Sequence, residues 1–314
     1  MADATLRELA SDLRFPRAPV VGDGGDVVVS EMRGGDLVRV ASSGSDPAVV
    51  ARCGGSPGGA AFGPDGLYVC NSGGWRWTRL GSVLVPGDDQ GTQPDDHQGG
   101  RIQRVDPDTG AVSDLYTSCD GRPLRAPADL VFDDSGGFWF TDRGHVRRRD
   151  RDRGGVYWAR ADGSEIREVI FPLDSPVGIA LSPDRSRLYV GESERAAAWW
   201  WDLGAPGQLC GPVPVYGTGG TLLYGAGGGA SFASMAVDGE GYVCVATTGD
   251  PGITVISADG SAVSHAGLPD PLVTALCFGG PGLTTAYVTL GAGGRLVAFE
   301  WPRPGLALAF GASQ

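Results

Sequence analysis

A six-bladed β-propeller is the fold the sequence predicts, and three observations predict it. A hairpin pattern recurs six times along the chain. The 53 glycines and 22 prolines, about a quarter of the chain, punctuate short apolar runs instead of clustering. The length of 314 residues suits a single all-β unit of this size.

The elements follow in order. Ala4 to Leu13 reads as an edge strand that closes the ring, within an N-terminal closing segment over 1–14. It is also the one stretch where apolar residues fall at three-and-four spacing. A loose first hairpin starts at Pro19. The clearest copies come next. Each has an apolar run, a turn rich in Asp or Gly, and a second apolar run. They are Ala60 to Phe62, Pro64-Asp65-Gly66 and Leu67 to Cys70; then Leu130 to Phe132, Asp134-Ser135-Gly136 and Phe138 to Phe140. They continue as Ile179 to Leu181, Pro183-Asp184-Arg185 and Leu188 to Val190; then Met235 to Val237, Gly239-Glu240-Gly241 and Tyr242 to Cys244. A looser sixth starts at Val273. Arg101 to Val105 and Gly155 to Trp158 read as outer strands. Four strands per unit make one propeller blade, so the whole of 1–314 reads as one propeller. A two-sheet sandwich leaves the sixfold repeat unexplained. Residues 74–100 exceed an ordinary blade connection and carry Trp75, Trp77, Arg79, Asp95, Asp96 and His97, so a lid is expected there. Trp199 and Trp201 share one strand face and are expected to pack between blades, with Trp200 opposite.

Composition removes several function classes. The net charge is −12, every basic residue is arginine, and no basic stripe exists. Nucleic acid and anionic membranes are therefore not expected as partners. The first sixteen residues lack a basic start followed by an apolar core, and no run is long enough to span a bilayer. Cys53, Cys70, Cys119, Cys210, Cys244 and Cys277 form no CxxC and read as buried free thiols of a cytoplasmic protein. No GxSxG, HExxH, P-loop or dinucleotide fingerprint appears.

The chain resembles the regucalcin and gluconolactonase (SMP-30) family. Phe15-Pro16-Arg17-Ala18-Pro19-Val20, Gly59 to Gly66 and Asn71 to Gly74 carry the resemblance, with Leu124 to Asp133, Phe140-Thr141-Asp142, Ser175 to Gly178 and Leu181 to Asp184. It implies a divalent cation at the channel mouth, held by a Glu, two Asn and an Asp. Carried over one at a time, those positions hold Arg17, Ala128, Val177 and Ala233 here. Two further rim positions fall on Gly58 and Ala275. A hard cation needs several oxygens. These side chains supply none, so neither metal nor other cofactor is expected.

The rim thus becomes an apolar ring with one guanidinium. It suits a small apolar or amphipathic organic substrate larger than a sugar lactone. Arg17 can hold a carboxylate or an oxyanion, or it replaces the cation's charge by pairing with Glu31 or Asp129. Asp129 can act as a base if burial raises its pKa. Glu31, His145 and Glu192 are further acid or base candidates. Asn71, Trp75, Trp77, Asp142 and Arg143 are expected to contact ligand, with Gly58, Ala128, Val177, Ala233 and Ala275 lining the ring. The expected activity is cyclisation, isomerisation or elimination without a metal, with the substrate held in a reactive fold. The alternatives are lactone or ester hydrolysis, and binding without catalysis.

Overall fold

The computed structural model describes residues 5–22, 24–44, 46–211 and 217–311. Six four-stranded antiparallel sheets surround one axis. Blade one comprises Pro16–Val21, Val27–Glu31, Asp36–Val40 and Ala48–Arg52, from the axis outward. Blade two comprises Pro57–Gly63, Gly66–Asn71, Arg101–Val105 and Val112–Tyr116. Blade three comprises Pro127–Phe132, Gly137–Asp142, Gly154–Arg160 and Ile166–Leu173. Blade four comprises Pro176–Leu181, Arg187–Glu192, Ala197–Asp202 and Thr221–Gly225. Blade five comprises Ser231–Val237, Val243–Thr248, Gly252–Ile256 and Val263–Gly267.

Blade six takes three strands from the end of the ring, Val273–Gly279, Thr285–Leu290 and Arg295–Glu300. Its outermost strand is Arg7–Ala10, paired antiparallel to Arg295–Glu300. The ring therefore closes through hydrogen bonds between chain-distant segments, and Arg295–Glu300 is covered by Arg7–Ala10 on its outer side. Residues 1–4 of the expected closing segment lie outside the described residues. The three-and-four spacing of Leu6 to Leu13 does not make a helix, because pairing in blade six overrides it.

Each repeated hairpin joins the innermost strand of a blade to its neighbour. Aspartates set the turns: Asp133 accepts from the Ser135 and Gly137 amides, and Asp238 from those of Glu240 and Tyr242. Gly136 and Gly241 take the left-handed backbone the turn requires, at φ 78° and 87°. The core lies between blades. Trp139, Trp158 and Trp201 pack with Ile179, Leu188 and Val190 between blades three and four, with Trp199 against them. Trp200 lies against the next layer and carries the Arg187 guanidinium 4.0 Å from its ring centre. Cys53, Cys70, Cys119 and Cys244 are buried thiols, but Cys210 is exposed and Cys277 half-buried. No helix among the described residues is long and apolar enough to cross a membrane.

Candidate functional site

All six innermost strands share one irregularity: pairing with the second strand slips by a residue near the start. Such bulges re-aim side chains, and here they do so at one end of the channel. Asp129 pairs with Thr141 just after its slip, and Ala275 pairs with Thr289 in the same way. The ring residue of blade six is therefore Thr274, and Ala275 stands one step further in. The ring reads Arg17, Gly58, Ala128, Val177, Ala233 and Thr274. Thr274 donates its hydroxyl to the Pro16 carbonyl at 2.6 Å, tying blade six to blade one.

One step inward, the ring is Ala18, Gly59, Asp129, Gly178, Ser234 and Ala275. Asp129 and Ser234 meet across the axis, with the Ser234 hydroxyl donating to Asp129 Oδ2 at 2.6 Å. The Leu130 amide donates to Asp129 Oδ1 at 3.0 Å. Glycine at position 59 makes room: a Cβ there would lie 2.4 Å from Asp129 Cα and 2.5 Å from Oδ1. Burial pushes the Asp129 carboxyl up to about 6, while the Ser234 hydroxyl and the Arg17 charge pull it down. Arg17 is 9% exposed. Burial lowers its pKa, and Asp129 opposes that shift. Asp129 and Ser234 open onto a cavity of about 120 Å³ lined by Ala18, Ala60, Leu130, Ile179, Met235 and Leu276, among others.

The far, hairpin-side end of this cavity holds the C-terminal segment. The Leu306 amide donates to the Val237 carbonyl at 3.1 Å, and Arg185 donates to the Ala307 carbonyl at 3.0 Å. Phe310 meets Phe132 edge-on at 5.1 Å. Nothing in the apolar repeat announces this plug.

The near end lies under residues 74–100. This segment contains a hairpin of its own, Trp77–Leu80 with Val83–Pro86. Trp77 packs edge-on against Phe15 at 5.0 Å, in a cluster with Trp75, Met32 and Leu272. The segment thus bridges blades one and six. Trp75 is buried, donates its indole N–H to Ser72 Oγ at 2.6 Å, and lies under the Arg143 guanidinium at 4.8 Å. These contacts hold the segment against the rim ends of the blades.

Several expected site residues serve the frame instead. Arg14 holds Glu31 through its backbone N–H at 2.8 Å and its guanidinium, which also takes Asp36. Asn71 accepts from the Ser56 and Gly73 amides and donates to Gln103. Asp142 accepts from the Arg125, Ala126 and Gly144 amides. Glu192 accepts from the Asp174 amide and the Trp199 indole. All four end the second strand of their blade, opposite Pro16, Pro57, Pro127 and Pro176. Each caps the backbone of the segment entering that blade, so none faces the channel cavity with a free oxygen. Glu31 and Glu192, expected as acids or bases, and Asn71 and Asp142, expected to contact ligand, are the side chains that hold these incoming segments.

His145, the remaining acid or base candidate, is enclosed. It is 1% exposed, and its Nε2 sits 3.3 Å from the Ser72 carbonyl, which can only accept, so Nε2 carries the proton. Its Nδ1 lies 3.1 Å from the Thr92 hydroxyl. Burial, with His97 next, lowers its pKa to about 4. The imidazole, neutral near pH 7 and bonded through both nitrogens, ties residues 74–100 to blade three. His97 meets the same carbonyl at 2.9 Å.

Arg17 makes neither of the ion pairs expected for it: Glu31 belongs to Arg14, and Asp129 bonds Ser234. The remaining oxygens do not fit the divalent cation the resemblance implies. One carboxylate and one hydroxyl face the axis, Thr274 is engaged, and a buried guanidinium stands among them. Among the described residues no three of His, Cys, Asp or Glu converge. About six to eight oxygens are needed for calcium. Ser234 is the residue the sequence reading missed; its signal was its place before the fifth hairpin, where Asp129 stands before the third.

The chain is similar to a gluconolactonase from Zymomonas mobilis, 29% identical over 200 residues covering 58% of this chain and 53% of that protein. It is similar to lactonase drp35 from Staphylococcus saprophyticus, 32% identical over 171 residues covering 54% of this chain and 50% of that one. The chain thus spans about half the length of the curated relatives it matches. In fold it is similar to a solved gluconolactonase from Xanthomonas campestris, with a TM-score of 0.72 over 96% of this chain and 91% of that one, at 20% identity. The SMP-30/Gluconolactonase/LRE-like region matches residues 16–292, nearly the whole ring, and the chain belongs to that family.

Proposed function

We propose that this propeller hydrolyses a lactone or ester without the divalent cation its family resemblance implies, using Asp129 as base and Arg17 as the fixed positive charge. The observation that carries the reading is the buried Asp129 carboxyl, raised to about 6, near a guanidinium that makes no ion pair among the described residues. Above that pH Asp129 is anionic and can take a proton from water as the water oxygen bonds the acyl carbon. Negative charge then gathers on the former carbonyl oxygen, where Arg17 stabilises it. When the C–O bond breaks, the proton on Asp129 passes to the leaving alkoxide. Water and lactone give one hydroxy acid, and the site returns to its starting state.

The lactonase names of the relatives support hydrolysis over cyclisation or isomerisation, which keep only the apolar wall in their favour. The test is proton release from a panel of γ- and δ-lactones and aryl esters, in chelator and in added calcium. Turnover in chelator that falls by about a hundredfold in Asp129→Asn is expected. Turnover that needs calcium, or that survives the substitution, overturns the reading. Binding of lactones without turnover leaves a binding protein.

A further inference from the structure

Arg17 lies on the ring and Arg143 just past the end of blade three's second strand, and among the described residues neither guanidinium pairs with a carboxylate. Arg17, 9% exposed, donates no hydrogen bond to any described residue. The Arg143 Nε is buried with no partner among the described residues, and its guanidinium lies 4.8 Å from the Trp75 ring centre. The two charges sense each other: burial and then Arg17 bring Arg143 down to about 10.

The carboxylates around them are occupied. Asp142 is saturated by three backbone amides. Glu194 holds Arg151 and Ser175, and Asp152 holds Arg147 and the His145 amide. Only Asp129 remains, bonded to Ser234 below. Neither Arg17 nor Arg143 stands within ion-pair distance of a carboxylate among the described residues, so each keeps a charge that no direct pair takes up. Unpaired buried charge is costly, and a planar guanidinium fork matches a carboxylate.

We infer that the rim binds a monoanionic carboxylate, with Arg143 as its anchor, Arg17 between that anchor and Asp129, and the apolar remainder of the ligand directed into the channel. Arg17 carries five donors, enough to face both neighbours. A carboxylate brings one charge and a planar pair of oxygens that match the fork, whereas phosphate brings up to two charges beside Asp129 and is the poorer fit. The inference deepens the hydrolase reading and rests on it for the reaction: the substrate becomes a lactone or ester that also bears a free carboxylate on an apolar skeleton.

The binding half is tested with a probe that has no bond to hydrolyse. Octanoate, octanamide and inorganic phosphate are titrated calorimetrically into the full chain near neutral pH. Octanoate should bind at least about tenfold tighter than octanamide or phosphate, the discrimination expected of a charge-assisted pair. Arg143→Gln should remove that margin and leave octanamide unchanged, which shows that the channel is still folded. Arg17→Gln should do the same. The proposal fails if octanoate and octanamide bind alike, if neither binds, if phosphate matches octanoate, or if octanoate ignores both substitutions. A carboxylate preference in a protein that leaves every lactone intact sinks the hydrolase reading alone. Lactone turnover without the preference sinks the anion site alone.

Discussion

Replacing Asp129 by Asn should disable the protein and make it more stable. Asn stands in for the protonated acid: it keeps the shape and an oxygen for the Ser234 hydroxyl or the Leu130 amide. The ionised carboxylate is what burial penalises. Its pKa moves from 3.8 in the open chain to about 6 in the fold. At about 1.4 kcal/mol per tenfold in proton affinity, the ionised group costs the native state about 3 kcal/mol. The sign follows from linkage. Below about pH 4 both states are protonated, and Asp and Asn are equivalent. Between about pH 4 and about pH 6 the unfolded chain ionises first, so native Asp129 becomes progressively unfavourable. Above that range the penalty is constant. Urea unfolding of both proteins at pH 4, 5, 6 and 8 reads this directly. The gap in favour of Asn should open from near zero to a plateau of about 3 kcal/mol. A variant equally stable at every pH, or less stable at pH 8, refutes the argument that a buried, poorly compensated carboxylate sits at the axis.

Three further expectations concern neighbours of that carboxylate. Arg17→Met removes the cation that holds Asp129 down, so the acid limb of kcat/KM against pH should move up by about one pH unit or more; an unmoved limb separates the two residues. Gly59→Ala places a methyl group against Asp129 Cα, which backbone cannot vacate. A loss of about 1–3 kcal/mol in thermal or urea unfolding is expected, together with most of the activity; full activity would mean that the carboxylate tolerates displacement. Asp142→Ala orphans three backbone amides, and at about 1 kcal/mol each the fold should lose about 3 kcal/mol. That loss should appear as a lower Tm, whereas an unchanged Tm would return Asp142 to the ligand contacts.

The fold was legible because a repeat states the same physics six times. Any one run such as Ile179 to Leu181 is ambiguous, but six runs with aspartate- or glycine-set turns are not. The ring position was legible for the same reason: Arg17, Ala128 and Val177 fall at one place in successive copies. What the sequence hides is direction. Glu31, Asp142 and Glu192 sit one strand from the axis, and the carboxyl groups that look reactive in a string are capping backbone amides in space. The bulge before Ala275 shifts the count by one and conceals Thr274. Ser234 meets a residue 105 positions away across an open axis, a pairing no local pattern encodes. The tail that enters the channel is short and apolar, and resembles any chain end.

The capping carboxylates and amides carry a wider consequence. They sit one strand outward from the ring, so the groups that hold each blade's incoming segment are different side chains from those that line the axis. A frame organised this way is insulated from its lining. Ring residues other than Asp129, which takes the Leu130 amide, can exchange oxygen for methyl, or anion for cation, without disturbing the bonds that hold the incoming segments. The propeller is in effect a socket with interchangeable contacts. A change of chemistry at its centre needs only a handful of side chains at one level, while the load of folding stays on Glu31, Asn71, Asp142 and Glu192.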